Sequence, residues 1–190
     1  MELLRTERLI LRAFRMADAP DVARYAGDID VARMLARVPH PYRQSEAEEW
    51  IAGHPQAPSR EGDFPFAIEA DGAFVGCIGY QTDTGEAGDE TFEIGYWIAR
   101  PCWGRGFATE TARAFCRFLF EKFGPAALSA GHFEDNPASG HVLTKLGFRY
   151  TGKKMSPCVA RGHDVCARTM RLQREDAGTL PAGLCDEISG

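Results

Sequence analysis

The segment that most restricts the fold is Ile94-Gly95-Tyr96-Trp97-Ile98-Ala99-Arg100-Pro101-Cys102-Trp103-Gly104-Arg105-Gly106-Phe107-Ala108-Thr109-Glu110, which passes from an apolar strand pattern through a glycine turn into a helix. Ala108, Ala112, Phe115, Leu119 and Phe123 then recur at helical steps and give one apolar face that stops at Gly124-Pro125. The helix therefore starts near Gly106. Its first-turn N–H groups have no internal partner and the helix dipole is positive there, so backbone alone can hold a phosphate, with glycine permitting close approach. The turn is not a Walker loop, because no Gly-Lys-Ser/Thr follows, and it lacks the third spaced glycine of a dinucleotide fingerprint. A tight strand-to-helix connection needs glycine even without a ligand.

A second segment gives the turn its meaning. In Asn136-Pro137-Ala138-Ser139-Gly140-His141-Val142-Leu143-Thr144-Lys145-Leu146-Gly147-Phe148, Asn136 is placed to cap a helix, Pro137 to occupy its first position and Gly147 to end it, with Val142, Leu143 and Leu146 on the buried side. Two helix N-termini, each preceded by a strand, thus lie about 30 residues apart.

The rest of the chain supplies strands and short helices. Leu9 to Phe14 read as a first strand, Asp18 and Pro20 open a helix that ends near Gly27, and a second helical piece follows. Ser45 with Glu48 has the spacing of a capping box for Glu46 to Ala52. His54 to Asp63 read as a loop, and Phe64 to Glu69 and Phe74 to Tyr80 as a hairpin about Asp71-Gly72. Thr82 to Glu90 read as a solvated acidic loop, with attraction of a cationic acceptor by Asp83, Glu86, Asp89 and Glu90 as the alternative, and Thr91 to Ala99 read as a strand. No repeat or linker interrupts residues 1–172, which read as a single α/β domain, with 173–190 a polar, poorly ordered tail.

Composition removes several classes. With 44% hydrophobic and 26% charged residues the chain is an ordinary globular protein, and its formal net charge of -5 argues against direct binding of nucleic acid. No apolar run approaches the roughly 18 residues of a membrane span. The start carries Glu2, Arg5, Glu7 and Arg8 where a signal peptide would be apolar, so a cytoplasmic location is expected. Six cysteines are then expected as thiols, and the spacing Cys158, His163, Cys166 lacks the paired turns and fourth ligand of a zinc site, so no metal is expected.

With these segments in order, the chain resembles the GNAT superfamily of acyl-CoA-dependent N-acetyltransferases, in the branch of the ribosomal-protein N-terminal acetyltransferases RimJ and RimL. The likeness covers Thr6-Glu7-Arg8-Leu9-Ile10-Leu11-Arg12, the Pro39 to Trp50 region, Phe66 to Tyr80, Glu93 to Glu110 and Asn136 to Phe148. It implies a mixed, mostly antiparallel central sheet flanked by helices on both faces. The implied co-substrate is acetyl-CoA, and the implied acceptor a primary amine, on a protein N-terminus or a small molecule. The family turn, Gln/Arg-x-x-Gly-x-Gly/Ala, falls on Trp103, Gly106 and Ala108, and Trp103 departs from it. The implied cofactor contacts are Ile98, Arg100, Trp103, Gly104, Arg105, Gly106, Phe107, Ala108, Thr109, Asn136 and Ser139, where the strand ending at Ile98 to Arg100 splays from Leu128 to Phe133. Such a protein is expected as a monomer or homodimer.

Acetyl transfer from a thioester to an amine needs a neutral amine, a polarised carbonyl and a protonated leaving sulfur. Glu93 is the candidate base, a carboxylate in an otherwise apolar strand. Many family members carry a tyrosine acid where this chain has Leu143, so Ser139, or a water it orients, is the candidate acid. His132 and His141 read as structural, Cys102 needs no role, and Tyr42, Trp50 and Phe64 are candidates to line the acceptor pocket. No nucleophile stands with a His-acid pair, so direct attack in a ternary complex is expected. The rival readings are a non-catalytic acyl-CoA-binding regulatory module, which needs neither Glu93 nor Ser139, and an enzyme of a phosphate ligand lacking pantetheine.

Overall fold

The two apolar hairpin segments set the core. In the computed structural model, which describes residues 4–55, 57–84 and 90–177, they are β3 (Asp63–Ala70) and β4 (Ala73–Thr84), turning through Asp71 at φ 51° and Gly72 at φ 78°. Two successive left-handed residues are what a tight hairpin turn requires. The same sheet holds β1 (Leu4–Arg5), β2 (Leu9–Arg12), β5 (Glu90–Ile98), β6 (Ala127–Phe133), β7 (Arg149–Cys158) and β8 (His163–Gln173). Its order is β1-β2-β3-β4-β5-β6-β8-β7, and among these pairs only β5 and β6 run parallel. The expected mixed, mostly antiparallel sheet is therefore present.

A parallel pair needs a crossover, and α4 (Phe107–Phe123) supplies it. Its Phe115 and Phe118 meet Phe66 of β3 edge-on at 5.6 and 5.9 Å between centroids. Leu143 of α5 (Pro137–Lys145) joins this larger core. On the opposite face, α1 (Ala19–Ala26) and α3 (Gln44–Ala52) pack Val22, Ala47 and Ile51 against Ala67 and Phe74. A short α2 (Ile29–Ala32) lies between them in sequence, and Arg174–Ala177 form a terminal helical turn, α6. Helices thus cover both faces, as expected.

Several local expectations change. The capping box is set two residues earlier than Ser45 and Glu48: Arg43 precedes α3 and its N–H donates to Glu46 at 2.7 Å. Asp18 does precede α1 but does not cap it with its side chain, because its carboxylate is occupied elsewhere. The acidic loop is shorter than Thr82 to Glu90, since Asp83 pairs with Thr91 and Thr84 with Glu90 in the β4–β5 ladder; Glu86 and Asp89 lie outside the described residues. Arg174–Ala177 are helical within the stretch expected as tail, and the remainder, with Cys185, lies outside the described residues. The β7–β8 hairpin has no counterpart in the sequence reading, because the exposed β7 carries no apolar alternation. Among the described residues no helix is long and apolar enough to cross a membrane.

Where Asp18 spends its charge explains how α1 is seated. Its carboxylate accepts from Arg12 Nη1 and Nη2 at 2.7 and 2.9 Å and from the Arg15 N–H at 2.8 Å, while Arg12 Nε reaches Glu69 at 2.8 Å. Burial pushes the Asp18 carboxyl up, and the bonds from Arg12 and the Arg15 backbone outweigh it, leaving it below the ordinary value of 3.8. A carboxyl with a lowered folded pKa stabilises the fold above its unfolded value and loses that contribution as pH falls through the folded one. Asp18→Asn is expected to cost about 3 kcal/mol at pH 7, the lower end for breaking a buried pair because Arg12 keeps Glu69. Urea unfolding against pH checks this: the variant curve should be lower at neutrality and flatter than wild type below about pH 4.

Candidate functional site

The β5–β6 ladder joins Phe92 to Leu128, Glu93 to Ser129 and Ile94 to Ala130, and stops there. Past that point Gly95–Ile98 and Gly131–Phe133 separate. A cavity of about 740 Å³ occupies the gap and runs from the turn before α4 to the start of α5. That volume falls within the roughly 300–1,000 Å³ of small-molecule sites.

At one end is the predicted anion site. Gly104 and Gly106 have φ of 76° and 81°, a conformation costly for other residues, and a Cβ on Gly104 would meet nothing within 4 Å. Gly106 starts α4 without a side-chain cap, so the first-turn N–H groups are left for a ligand. The turn is clamped from outside. Glu110 accepts from Thr6 Oγ1 at 2.6 Å and Arg8 Nε at 2.8 Å, and Arg8 Nη1 holds the Arg105 carbonyl at 3.0 Å. Burial pushes the Glu110 carboxyl up, and these bonds bring it below the ordinary carboxylate range. The opening Thr6-Glu7-Arg8 and the distant Glu110 are thus two halves of one clamp.

Of the expected cofactor contacts, Ile98, Trp103, Gly104, Gly106, Phe107, Ala108, Thr109, Asn136 and Ser139 line the cavity. Arg100 and Arg105 do not. Arg100 is held by Asp28 at 3.0 Å and Asp30 at 3.3 Å, which ties α2 to the end of β5, and the Arg105 guanidinium lies 4.4 Å over the Phe107 ring. Trp103, the departure from the family turn, donates its indole N–H to the Ile98 carbonyl at 2.7 Å and leaves half its surface exposed. Asn136 caps α5, accepting from the Ser139 N–H at 3.3 Å.

Ser139 and Glu93 both reach the cavity. The Ser139 hydroxyl is 2.9 Å from the Tyr96 phenol, which also reaches the Ser139 carbonyl at 3.2 Å. Burial pushes Tyr96 up to about 12 despite the hydrogen bond from Ser139, so its phenol stays protonated at neutral pH. Glu93 is 41% exposed and lies 3.8 Å from Lys154 of β7. Sequence reading missed Tyr96, although a tyrosine within an apolar strand needs a partner for its hydroxyl. It also missed Lys154, for which local sequence carries no signal.

Other candidates take structural positions. His132 is buried, with Nδ1 2.8 Å from the Phe133 carbonyl and Nε2 3.1 Å from the Tyr150 hydroxyl. His141 is exposed. Tyr42, Trp50 and Phe64 do not line the cavity, which corrects the expected acceptor pocket: Trp50 packs on Phe14 and His54, Tyr42 on the α1–α3 core, and Phe64 on Phe66. The far wall is instead α2 and the residues after it, with Val31, Met34 and Leu35, facing Ser156 and Ala167. Cys158 donates its thiol to the Arg33 and Leu35 carbonyls at 3.5 and 3.4 Å, and its cross-strand partner, the exposed His163, has Nδ1 2.8 Å from the Arg161 carbonyl.

A helix N-terminus open to phosphate, a split sheet leading inward and a polar inner end suit a long, phosphate-bearing ligand. Residues 8–149 match the family model for an acetyltransferase (GNAT) domain, and the chain belongs to that family. It is an acetyl-CoA-dependent N-acetyltransferase, with acetyl-CoA as co-substrate. A relative named "Uncharacterized N-acetyltransferase p20", from Bacillus licheniformis, is 30% identical over 94% of this chain and 100% of its own length. RimJ of Mycobacterium smegmatis in complex with CoA-disulfide has the same fold, at TM-score 0.78 and 24% identity over 95% of this chain and 88% of its own. So does the spermidine N-acetyltransferase of Vibrio cholerae in complex with CoA and spermine, at 0.73 and 17% over 90% and 99%.

If the first turn of α4 takes the phosphates, a carboxylate there will repel them while suiting the helix dipole. Thr109→Glu is expected to leave the melting temperature unchanged or raised and to weaken CoA at least tenfold, about 1.4 kcal/mol, with the loss shrinking at high salt. Calorimetric titration with CoA at two salt concentrations checks both parts.

Proposed function

We propose that the protein transfers the acetyl group of acetyl-CoA to a primary amine by direct attack in a ternary complex, with Glu93 as base and Ser139 as acid. The observation that carries this reading is that Glu93, on β5, and Ser139, on α5, open into one cavity beside the gap between β5 and β6. The α4 turn holds the phosphates, and Gly95, where a Cβ would meet nothing within 4 Å, leaves backbone open along the gap. The acetyl carbonyl then lies between the two side chains.

Glu93 takes one proton from the arriving ammonium and passes it to solvent. The freed nitrogen lone pair attacks the carbonyl carbon, the C–N bond forms and the C–S bond breaks. The hydroxyl proton of Ser139 goes to the thiolate, and the second proton shed by the nitrogen, relayed through water, returns Ser139 to its hydroxyl form. Tyr96, kept neutral by burial, lies 2.9 Å from Ser139 Oγ and 3.2 Å from the Ser139 carbonyl and so positions the serine hydroxyl. No covalent enzyme intermediate is needed.

Glu93→Gln is expected to lower kcat by about 10² to 10⁴ with CoA affinity nearly unchanged. Wild-type turnover in the folded variant would make Glu93 structural. Because Tyr96 works through Ser139, Tyr96→Phe added to Ser139→Ala should cost no more than Ser139→Ala alone, and a double-mutant cycle in kcat measures this; additive losses would separate the two residues.

A further inference from the structure

Two of the acids that line the cavity have cationic partners. Asp30 is neutralised by Arg100 at 3.3 Å, and Asp135 by Arg161 at 2.8 Å and Arg33 at 3.6 Å. The Glu93–Lys154 pair is different. At 3.8 Å it is longer than the about 2.7–2.9 Å of a tight charge-assisted bond, and its side chains are 41% and 52% exposed. Both groups therefore retain capacity, the carboxylate as acceptor and the ammonium as donor.

Register sets the two on one face of the sheet, four residues apart in row, and the Lys154 side chain spans the distance. Glu93 pairs with Ser129 on β6, Phe133 lies four residues along the same face, and Phe133, Ala167 and Lys154 form one row across β6, β8 and β7. Gly131, between Ser129 and Phe133 on that face, contributes no side chain, so the floor between the acid and the ammonium is clear. Apolar groups from Val31, Met34, Phe133 and Ala167 flank it.

We infer that the acceptor carries a carboxylate beside its amine, as an α-amino acid with an apolar side chain does. Its amine bonds Glu93, its carboxylate bonds Lys154 and its side chain lies on the apolar wall. This rests on the reading of Glu93 as the base beside the amine. A polyamine would bring a second cation against Lys154, where the other described acids of the cavity already have partners. A peptide N-terminus replaces the carboxylate with an amide and leaves Lys154 without its ligand.

The test follows thiol release from acetyl-CoA with L-leucine, L-methionine and L-phenylalanine, the amide of each, a serine-initiated tripeptide amide and spermidine. The expected result is that at least one free amino acid exceeds its own amide at least tenfold in kcat/KM. In Lys154→Met that ratio should collapse toward one, and in Lys154→Arg it should be largely kept. Removing Lys154 also unpairs Glu93, but this bears on acid and amide alike, so the ratio isolates the carboxylate contact. If spermidine, the tripeptide or the amides outrun every free acid, or if Lys154→Met keeps the ratio, the inference is overturned while acetyl transfer stands. If nothing in the panel releases thiol, the inference and the transferase mechanism fall together.

Discussion

The parallel ladder between β5 and β6 ends after Ile94 and Ala130, and the rest of the site follows from that ending. A sheet that stays paired has no room for a ligand, because each strand's N–H and C=O groups are used by its neighbour. Here the strands lose their ladder while each still delivers a helix: β5 leads to α4, and β6 leads to α5. The same separation that opens a cavity therefore brings two helix N-termini to its rim. The α4 turn offers backbone N–H groups at one end of the cavity, and the Glu93 and Ser139 side chains open into the same space.

Holding such a gap open requires support from outside it. Arg8 and Thr6 grip Glu110 and the Arg105 carbonyl behind the α4 turn, Arg100 draws α2 to the end of β5, and Arg161 joins Asp135 to the Arg33 carbonyl on the far wall. Charged groups thus brace the walls. Exposed pairs of this kind contribute little each to stability, but they set position, and position is what the cavity needs.

Elements governed by local pattern were legible in the sequence. The apolar steps of α4, the glycine at its start and the Asn-Pro start of α5 each satisfy a local rule, and these segments carried the family likeness that implied the splayed strands. Ser45 is not the cap because α3 starts before it, at Gln44: Arg43 is the cap and its N–H donates to Glu46. Asp18 has the right spacing for a cap, but a buried Arg12 competes for its carboxylate and wins. Tyr96 and Lys154 depend on contacts 43 and 61 positions away in sequence, with Ser139 and Glu93, which no window of local pattern contains. Tyr42, Trp50 and Phe64 show the reverse error: aromatic residues near an expected pocket were needed to pack the core.

The strand order carries a further consequence, for the sequence of events as the chain is made. β8 lies between β6 and β7, so β7, although synthesised first, has no ladder to join until His163–Gln173 emerges. The α4 turn, the β5–β6 gap and the start of α5 are complete by residue 145, whereas the wall bearing Lys154 and Ser156 waits for the last strand. A nascent chain thus holds the α4 turn and the gap beside it before the β7–β8 wall that completes the cavity can form.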